Sequence, residues 1–131
     1  MVKNLERSDQ EWRKILTDEQ FEVLRGRGTE RPFSGKFNEC KIAGIYCCSG
    51  CGNPLFLSIN KYDSGTGWPS FWAPISSRAV QYEEDQSFSM VRTEVSCAAC
   101  GGHLGHVFPD GPEPSGKRYC INSISLSLEP E

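Results

Sequence analysis

The chain has 131 residues and a mass of 14.6 kDa, which suits one domain that can bury a core without disulfides. A formal net charge of -3, with no run of Lys or Arg, argues against nucleic acid as a partner. No stretch approaches the roughly 18 apolar residues of a membrane span, and the polar start lacks the apolar core of a signal peptide. We therefore expect a cytoplasmic protein with no membrane partner, although a transit peptide removed beforehand would leave an organellar location open.

Two capping-box patterns come first along the chain. Ser8 and Thr17 are each followed, three residues later, by an acid or an amide, and such pairs satisfy exposed N–H groups at the start of a helix. They predict two short helices, over about 8–16 and 17–25. The apolar side of these helices is expected to consist of Trp12, Ile15, Leu16, Phe21 and Leu24.

The hydrophobic period changes after the Gly- and Pro-rich segment that follows the helices. Short apolar runs bounded by turn residues predict strands over about 44–47, 53–57, 88–95 and 119–128. The fold class predicted from these patterns is mainly β, with antiparallel strands and two N-terminal helices. We expect a single domain, in which residues 1–26 form a helical arm packed on a β body of residues 27–131.

Seven cysteines are many for a reducing compartment, where cysteines usually serve metals or catalysis. Four of them form two matched C-x-x-C-G motifs. This spacing aims two thiolates from one tight turn at one metal, and the trailing glycine tolerates a positive φ. The two motifs together predict a closed, structural zinc site built from Cys48, Cys51, Cys97 and Cys100. Two disulfides or two redox pairs are the alternative interpretation.

A local metal site is a further alternative. Cys97, Cys100, His103 and His106 step by three along the chain and could make one Cys2His2 site, which would leave the first C-x-x-C motif idle. Their histidine spacing is shorter than the usual three to five intervening residues, so the four-cysteine site is favoured.

Cys120 is the remaining cysteine with chemically suggestive neighbours on both sides. In a regular strand, alternation would place Arg118, Cys120 and Asn122 on one face, in line with the apolar residues that follow at alternate positions. An adjacent guanidinium favours the nucleophilic thiolate, and a carboxamide can hold a water or a substrate oxygen. The structural alternative is a buried cysteine that acts only as a small core residue.

Two other segments carry candidate groups. His103 and His106 stand among glycines directly after the second C-x-x-C motif, and either could donate a proton near neutral pH unless its role is structural. The segment 62–72 is a glycine-flexed loop with clustered aromatic rings, where an exposed indole could bind a methyl group on polarised sulfur. The alternative is that these rings, Phe71 or Trp72 at least, belong to the core.

Four long motifs then stand in one order along the chain. They read G-x-Y-x-C-x-x-C-G-x-P-L-F, K-Y-D-S-G-x-G-W-P-S-F, C-x-x-C-G-x-H-L-G-H-V-F-x-D-G-P and G-x-R-Y-C-I-N-S. With this set the chain resembles the methionine-R-sulfoxide reductases of the B class, from about Asp9 to Leu128.

The resemblance implies a fold of two antiparallel β-sheets with peripheral helices and one structural Zn²⁺ on the four C-x-x-C cysteines. It implies that Cys120 attacks the sulfur of methionine-R-sulfoxide, free or in oxidised proteins and peptides, while a histidine protonates the oxygen. The other implied roles are methyl binding by Trp68, an apolar wall at Phe108, positioning of the polar end by His103, His106 and Asn122, and support of the thiolate by Arg118. A second thiol and thioredoxin would then recycle the Cys120 sulfenic acid, in a monomer that repairs oxidised proteins.

One position departs from the family pattern. Many members carry a resolving cysteine where this chain has Thr66, and a hydroxyl cannot form that disulfide. Cys40, in a segment expected to be a flexible loop, is the first candidate for the resolving thiol. Cys47 is the second, because it precedes a zinc ligand and a strand would point it the opposite way. With neither, thioredoxin or a small thiol would attack the sulfenic acid directly.

A binding module without chemistry is the alternative function. A zinc-stapled β module could hold a ligand or a peptide in an aromatic cage of Trp68, Phe71 and Trp72. Such a module would have no need for Cys120, so replacing Cys120 with serine distinguishes the two hypotheses.

Overall fold

A computed structural model of the chain describes residues 7–86 and 90–131. Helix α1 spans Asp9–Ile15 and helix α2 spans Asp18–Leu24. Both capping boxes are present, each with a hydroxyl that accepts from a backbone N–H three residues on. The two helices predicted from the sequence are therefore confirmed, whereas residues 1–6 of the expected arm lie outside the described residues.

The helices bury one side against the sheets. Trp12, Leu16 and Leu24 belong to the main hydrophobic cluster. Ile15, which the spacing placed on the same side, is 55% exposed, and this part of the prediction is wrong. Trp12 and Leu16 lie one turn apart on the same side of this short helix and make its contact with the core. Ile15 lies outside that contact. The division into an arm and a body stays a prediction, and in the described part of the chain no helix is long and apolar enough to cross a membrane.

Nine strands of the described residues form two antiparallel sheets. The three-stranded sheet has the order β2-β1-β9 and consists of β1 (Gly44–Cys48), β2 (Pro54–Leu57) and β9 (Leu126–Pro130). The six-stranded sheet has the order β3-β4-β8-β7-β6-β5 and consists of β3 (Lys61–Tyr62), β4 (Ser70–Phe71), β5 (Val80–Asp85), β6 (Arg92–Cys97), β7 (His103–Phe108) and β8 (Arg118–Ile121). The expected fold class, mainly β with two antiparallel sheets and two short helices, is confirmed.

The core lies where the two sheets meet. Phe71 and Tyr119 are register partners on β4 and β8, so their side chains share one face of the six-stranded sheet. Phe56 of β2 stacks on Phe71 with ring centroids 4.4 Å apart and packs on Tyr119 at 5.9 Å. Because neighbouring residues along a strand point to opposite faces, the partners Ser70 and Cys120 face away from this core.

The single strand expected over 119–128 is wrong. That segment divides into β8, a 3-10 helix at Ser123–Ser125 and β9. Asn122 ends β8, because both its backbone N–H and its Nδ2 donate to the Leu104 carbonyl, at 2.9 and 3.0 Å. The chain therefore crosses from one sheet to the other, and the apolar residues after Asn122 do not continue the face of Cys120.

The sequence patterns predicted one strand with different bounds and missed others. The strand expected over 88–95 is β6, which runs from Arg92 to Cys97, and residues 88 and 89 lie outside the described residues. Strands β5 and β7 were not expected, because β5 is a largely exposed edge strand rich in acids and a glycine interrupts β7.

Candidate active site and metal centre

One row of register partners crosses the face of the six-stranded sheet that points away from the core. Its members, from β3 to β6, are Tyr62, Ser70, Cys120, His106 and Glu94. Residues directly opposite each other in an antiparallel pair have side chains on the same face, with Cβ atoms about 5 Å apart. The row therefore places His106 on one side of Cys120 and the Ser70 hydroxyl on the other.

A glycine between the two histidines lets β7 approach β8 closely. A Cβ on Gly105 would lie 2.0 Å from the Cys120 carbonyl oxygen and 2.9 Å from the Ile121 Cα. Any side chain at this position would push the two strands apart. Gly105 therefore keeps His106, the next residue, beside Cys120.

Cys120 is partly exposed and lies between opposing electrostatic influences. Burial raises the pKa of its thiol, and the Glu30 carboxylate adds to that effect. The Arg118 guanidinium and the Thr66 hydroxyl lower the pKa through charge and hydrogen bonding, but it stays above its ordinary value of 9.0. The thiolate is thus the minor form at neutral pH, and the groups that lower this pKa govern its reactivity.

Arg118 is fixed by two partners on the same side of the sheet. Its Nε and Nη2 donate to the two carboxylate oxygens of Asp110 at 3.0 and 3.2 Å. Its guanidinium carbon lies 4.3 Å from the centroid of the Phe108 ring, and Arg118 and Phe108 are register partners. Because both stand two residues from the Cys120 row, they share its face.

The two histidines each bind a carboxylate. His103 Nδ1 lies 2.6 Å from Glu94 Oε2, and His106 Nε2 lies 2.8 Å from Asp85 Oδ2. Burial lowers the pKa of His103, although Glu94 opposes this, so the ring is neutral at pH 7. His103 is buried and His106 is partly exposed, so His106 is the ring that solvent and ligands can reach.

The Trp68 indole is tied to the buried Glu30. Trp68 Nε1 donates to the Glu30 carbonyl oxygen at 3.0 Å, and the Glu30 N–H donates to Asn122 Oδ1 at 3.0 Å. Asn122 Nδ2 donates in turn to Leu104 of β7. The Asn122 amide therefore joins the Trp68 segment to β7, and its expected contact with a substrate stays a prediction.

Four sulfur atoms converge at the opposite end of β7. All four lie within 4.8 Å of one another, and they belong to Cys48, Cys51, Cys97 and Cys100. Two of the sulfur pairs are separated by 3.7 and 3.6 Å, and a tetrahedron with arms of about 2.3 Å has edges of about 3.8 Å. Gly52 and Gly101 adopt φ of 84° and 77°, as expected for the turns of the two motifs. The cluster is therefore suited to a structural zinc.

The cluster also tests the alternative interpretations of the motifs. It joins the end of β1 to the turn between β6 and β7, so the first C-x-x-C motif is part of the site. The imidazoles of His103 and His106 bind carboxylates instead. The structure gives the local Cys2His2 site no support.

The two other cysteines stand away from the row. Cys40 lines a surface groove together with Lys61 and Tyr62. Burial raises the pKa of its thiol, but hydrogen bonds with Tyr46 and the Ile42 backbone and the charge of Lys61 lower the pKa by more. Burial raises the pKa of Cys47, which lies within β1. Cys40 thus has the better access and the more acidic thiol of the two.

The aromatic loop leaves two of the three proposed cage rings accessible and buries the third. Phe71 is fully buried and stacked in the core, while Trp68 and Trp72 are partly exposed. A cage that includes Phe71 is therefore wrong.

The sequence matches a known family. The model of the SelR domain matches residues 16–130, which is most of the chain. The chain belongs to the SelR family.

Relatives of this SelR-family chain carry the name peptide methionine sulfoxide reductase MsrB. One from Hahella chejuensis is 61% identical over 122 residues, which cover 93% of this chain and 88% of that protein. One from Methanosarcina barkeri is 57% identical over 129 residues, covering 98% and 91%. One from Pseudomonas savastanoi pv. phaseolicola is 56% identical over 126 residues, covering 96% of each.

Sequence patterns missed several buried residues that contact the candidate site only through the tertiary fold. Glu30, Asp85 and Glu94 are buried acids. The Asp85 and Glu94 carboxylates bind His106 and His103, whereas Glu30 accepts from the Trp68 indole with its backbone carbonyl and from the Ile124 N–H with its carboxylate. Their spacing along the chain gives no sign of this role. They are recognised only by their burial in the folded structure. Ser70 is likewise visible only through its register with Cys120.

Proposed function

We propose that this SelR-family chain is a peptide-methionine (R)-S-oxide reductase, which reduces methionine-R-sulfoxide to methionine with a thiol. The observation that carries the proposal is the geometry of Cys120, with His106 opposite it on β7 and Arg118 two residues away on β8. The names of the relatives support the same substrate class.

In the proposed reaction the Cys120 thiolate attacks the sulfoxide sulfur while the sulfoxide oxygen takes up a proton. His106 supplies the proton directly or through water, and His103, held by Glu94, steadies the neighbouring ring at 5.5 Å. The oxygen ends on the Cys120 sulfur as the original S–O bond breaks. Methionine leaves with two electrons gained, and Cys120 becomes a sulfenic acid.

The substrate fits between the groups that share this face. The partly exposed Trp68 ring receives the ε-methyl group, and Phe108 completes the apolar wall. Arg118, stacked on Phe108, supports the thiolate by its charge. Asn122 positions the polar end through the backbone that it holds.

Zinc is the metal proposed for the four-sulfur cluster, with one ion per chain. Four thiolates fill a tetrahedral shell and leave no position for a reacting water, which is the pattern of structural rather than catalytic zinc. The Gly50 and Gly102 N–H groups each lie 3.4 Å from a cluster sulfur, which suits sulfur in its thiolate form.

Cys40 is the proposed resolving thiol, with Cys47 as the second choice. Its accessible groove reaches Tyr62, two strands from Cys120 in the sheet. Strands are spaced about 4.8 Å apart, so the segment around Cys40 must move for its sulfur to reach Cys120. Direct attack on the sulfenic acid by thioredoxin or a small thiol is the alternative.

The remaining proposals concern partners and location. The substrate is methionine-R-sulfoxide in oxidised proteins or peptides rather than the free amino acid, and thioredoxin or another thiol supplies electrons. We place the enzyme in the cytoplasm as a monomer with no nucleic-acid or membrane partner, in keeping with its net charge of -3.

The replacement Cys120→Ser tests the function. We expect it to abolish production of methionine from a peptide that contains the R-sulfoxide, measured by chromatography with dithiothreitol as reductant, because serine is not a nucleophile here. Metal content and melting temperature should stay unchanged. Cys47→Ser is the matched control and should keep its activity; turnover by Cys120→Ser would overturn the assignment.

The resolving thiol is tested by one equivalent of substrate followed by disulfide mapping with mass spectrometry. We expect a Cys40 to Cys120 link, and in Cys40→Ser a Cys120 sulfenic acid that dimedone traps. Adding Thr66→Cys to Cys40→Ser should restore a disulfide, because the Thr66 side chain lies close enough to Cys120 to lower the pKa of its thiol. An oxidised product without a Cys40 to Cys120 disulfide would contradict this assignment. The resolving thiol would then be Cys47, or an external thiol would attack the sulfenic acid directly.

A further inference from the structure

Three hydroxyl groups form a continuous hydrogen-bonded chain beside Cys120. Ser64 Oγ lies 2.7 Å from Thr66 Oγ1 and 2.7 Å from Ser70 Oγ. Ser70 donates to the Trp68 carbonyl oxygen at 3.1 Å. At the other end the Thr66 side chain lies beside the Cys120 thiol and lowers its pKa. This hydroxyl chain of Thr66, Ser64 and Ser70 thus runs from the side of Cys120, the register partner of Ser70, to the backbone of Trp68.

The supply of hydrogens permits two arrangements of the hydroxyl chain. Each hydroxyl has one hydrogen to donate and two lone pairs. Ser64 Oγ already accepts from the Thr66 N–H at 3.3 Å, so it accepts from one hydroxyl neighbour and donates to the other. The bonds must therefore all run one way, either towards Trp68 or towards Cys120.

The protonation state of Cys120 selects between the two arrangements. A thiol donates its hydrogen to Thr66, and the bonds then run through Ser64 and Ser70 to the Trp68 carbonyl. A thiolate can only accept, so Thr66 donates to it and every bond reverses. The reversal withdraws the hydrogen of Ser70, which is 0% exposed, from the Trp68 carbonyl oxygen.

We propose that Thr66, Ser64 and Ser70 are positioning residues whose hydrogen bonds reverse direction when Cys120 changes between thiol and thiolate. The inference rests on the proposed function only where it takes Cys120 as the nucleophile. Donation by Thr66 stabilises the thiolate, and the reversal at the same time changes the hydrogen bonding of the Trp68 backbone, so the nucleophile and the proposed methyl-binding residue respond together. Thr66 therefore has a role of its own at the position where many family members have cysteine.

Charged groups also surround Cys120 and act in parallel. Those that face it are Arg118 on its own strand, Tyr62 on β3, His106 on β7 and Glu30 from the segment before β1, while Asp110 pairs with Arg118. The hydroxyl chain is neutral, so replacing its members leaves these charges in place. A change in the ionisation of Cys120 then reports the hydrogen bonds alone.

The test is the pH dependence of the alkylation of Cys120 by iodoacetamide, followed on the Cys120 peptide by mass spectrometry. It needs the zinc-loaded full chain and no substrate. The variants are Thr66→Val, which removes the hydroxyl at nearly constant volume, Thr66→Ser, which keeps it, and Ser70→Ala. Far-UV circular dichroism and zinc content check that each variant folds.

The two ends of the hydroxyl chain should shift the profile in opposite directions. Thr66→Val removes the donor to the thiolate and should raise the midpoint by about one pH unit, with alkylation at lower pH about tenfold slower. Thr66→Ser should keep the normal midpoint. Ser70→Ala removes two bonds from the thiol arrangement but one from the thiolate arrangement, so it should lower the midpoint by about half a unit.

Opposite shifts, with normal behaviour of Thr66→Ser, would support the reversal. Any one of three results would overturn it. The Thr66→Val profile could stay unmoved, or the Thr66→Ser profile could change as much as the Thr66→Val profile. The third is a Ser70→Ala midpoint that is unchanged or raised. Reductase activity is measured separately on the same proteins. A chain that shows the shifts without turnover would refute the proposed function alone, and turnover without the shifts would refute this inference alone.

Discussion

At the scale of single residues, the Arg118 guanidinium increases the fraction of Cys120 that is thiolate. Burial raises the pKa of Cys120 and the guanidinium lowers it, so removing the charge must raise it further. Arg118→Met should therefore shift the rise of kcat/KM with pH upward by about one unit, which is a tenfold loss at neutral pH. The shift is positive because the thiolate is the reactive form and is populated above its pKa.

Arg118→Lys is the matched control for the charge. Lysine keeps the positive charge but cannot keep both contacts of the guanidinium with Asp110, so an intermediate shift is expected. A pH profile of Arg118→Met that coincides with that of the native chain would show that Arg118 gives the thiolate no support.

Site residues could be predicted from the sequence where the chemically related residues are close together along the chain. Arg118 stands two residues from Cys120 along the chain, and the four cysteines of the cluster are recognised by the spacing of their two C-x-x-C motifs. Glu30 could not be found this way, because its contacts are with residues about 90 positions away. Only the folded chain brings its backbone N–H to Asn122 and its buried carboxylate to Ile124.

At the scale of elements, the pairing of β7 with β8 depends on Gly105. A Cβ at this position would lie 2.0 Å from the Cys120 carbonyl oxygen, and backbone atoms cannot rotate out of the way. Gly105→Ala should therefore destabilise the fold by about 3 kcal/mol and lower the melting temperature by on the order of 10 °C. Activity should fall as well, because His106 moves away from Cys120.

Gly116→Ala is the matched control for a glycine replacement. Gly116 has a φ of 72° and nothing within 4 Å of an added Cβ, so only local backbone strain of about 1–2 kcal/mol is expected. Its activity should remain normal. Equal melting temperatures for the two variants would contradict the close approach of β7 and β8.

Elements with a strong local signal are those that the sequence predicts. The capping boxes locate both helices because their hydrogen bonds span three residues. The long strand over 119–128 was wrong because its alternation of apolar residues continues through Asn122, where contacts with Leu104 end β8. Alternation alone cannot show that a chain leaves one sheet for the other.

At the scale of the whole molecule, the four-cysteine cluster connects the two sheets. Cys48 ends β1 of the three-stranded sheet, and Cys97 ends β6 of the six-stranded sheet. Strand β7, which carries both histidines, begins three residues after Cys100. A metal at the cluster therefore fixes the start of the strand that faces Cys120.

Removal of the metal should loosen this connection and destabilise the whole chain. A structural zinc contributes directly to folding free energy, so chelation should lower the melting temperature by more than about 10 °C, measured by calorimetry alongside metal content. Cys51→Ser should bind less metal and show the same loss, whereas Cys47→Ser, whose thiol lies outside the cluster, should keep its metal and stability. An apo chain that melts at the temperature of the metal-loaded one would mean that the core between the sheets holds them together alone, and that the cluster has no structural role.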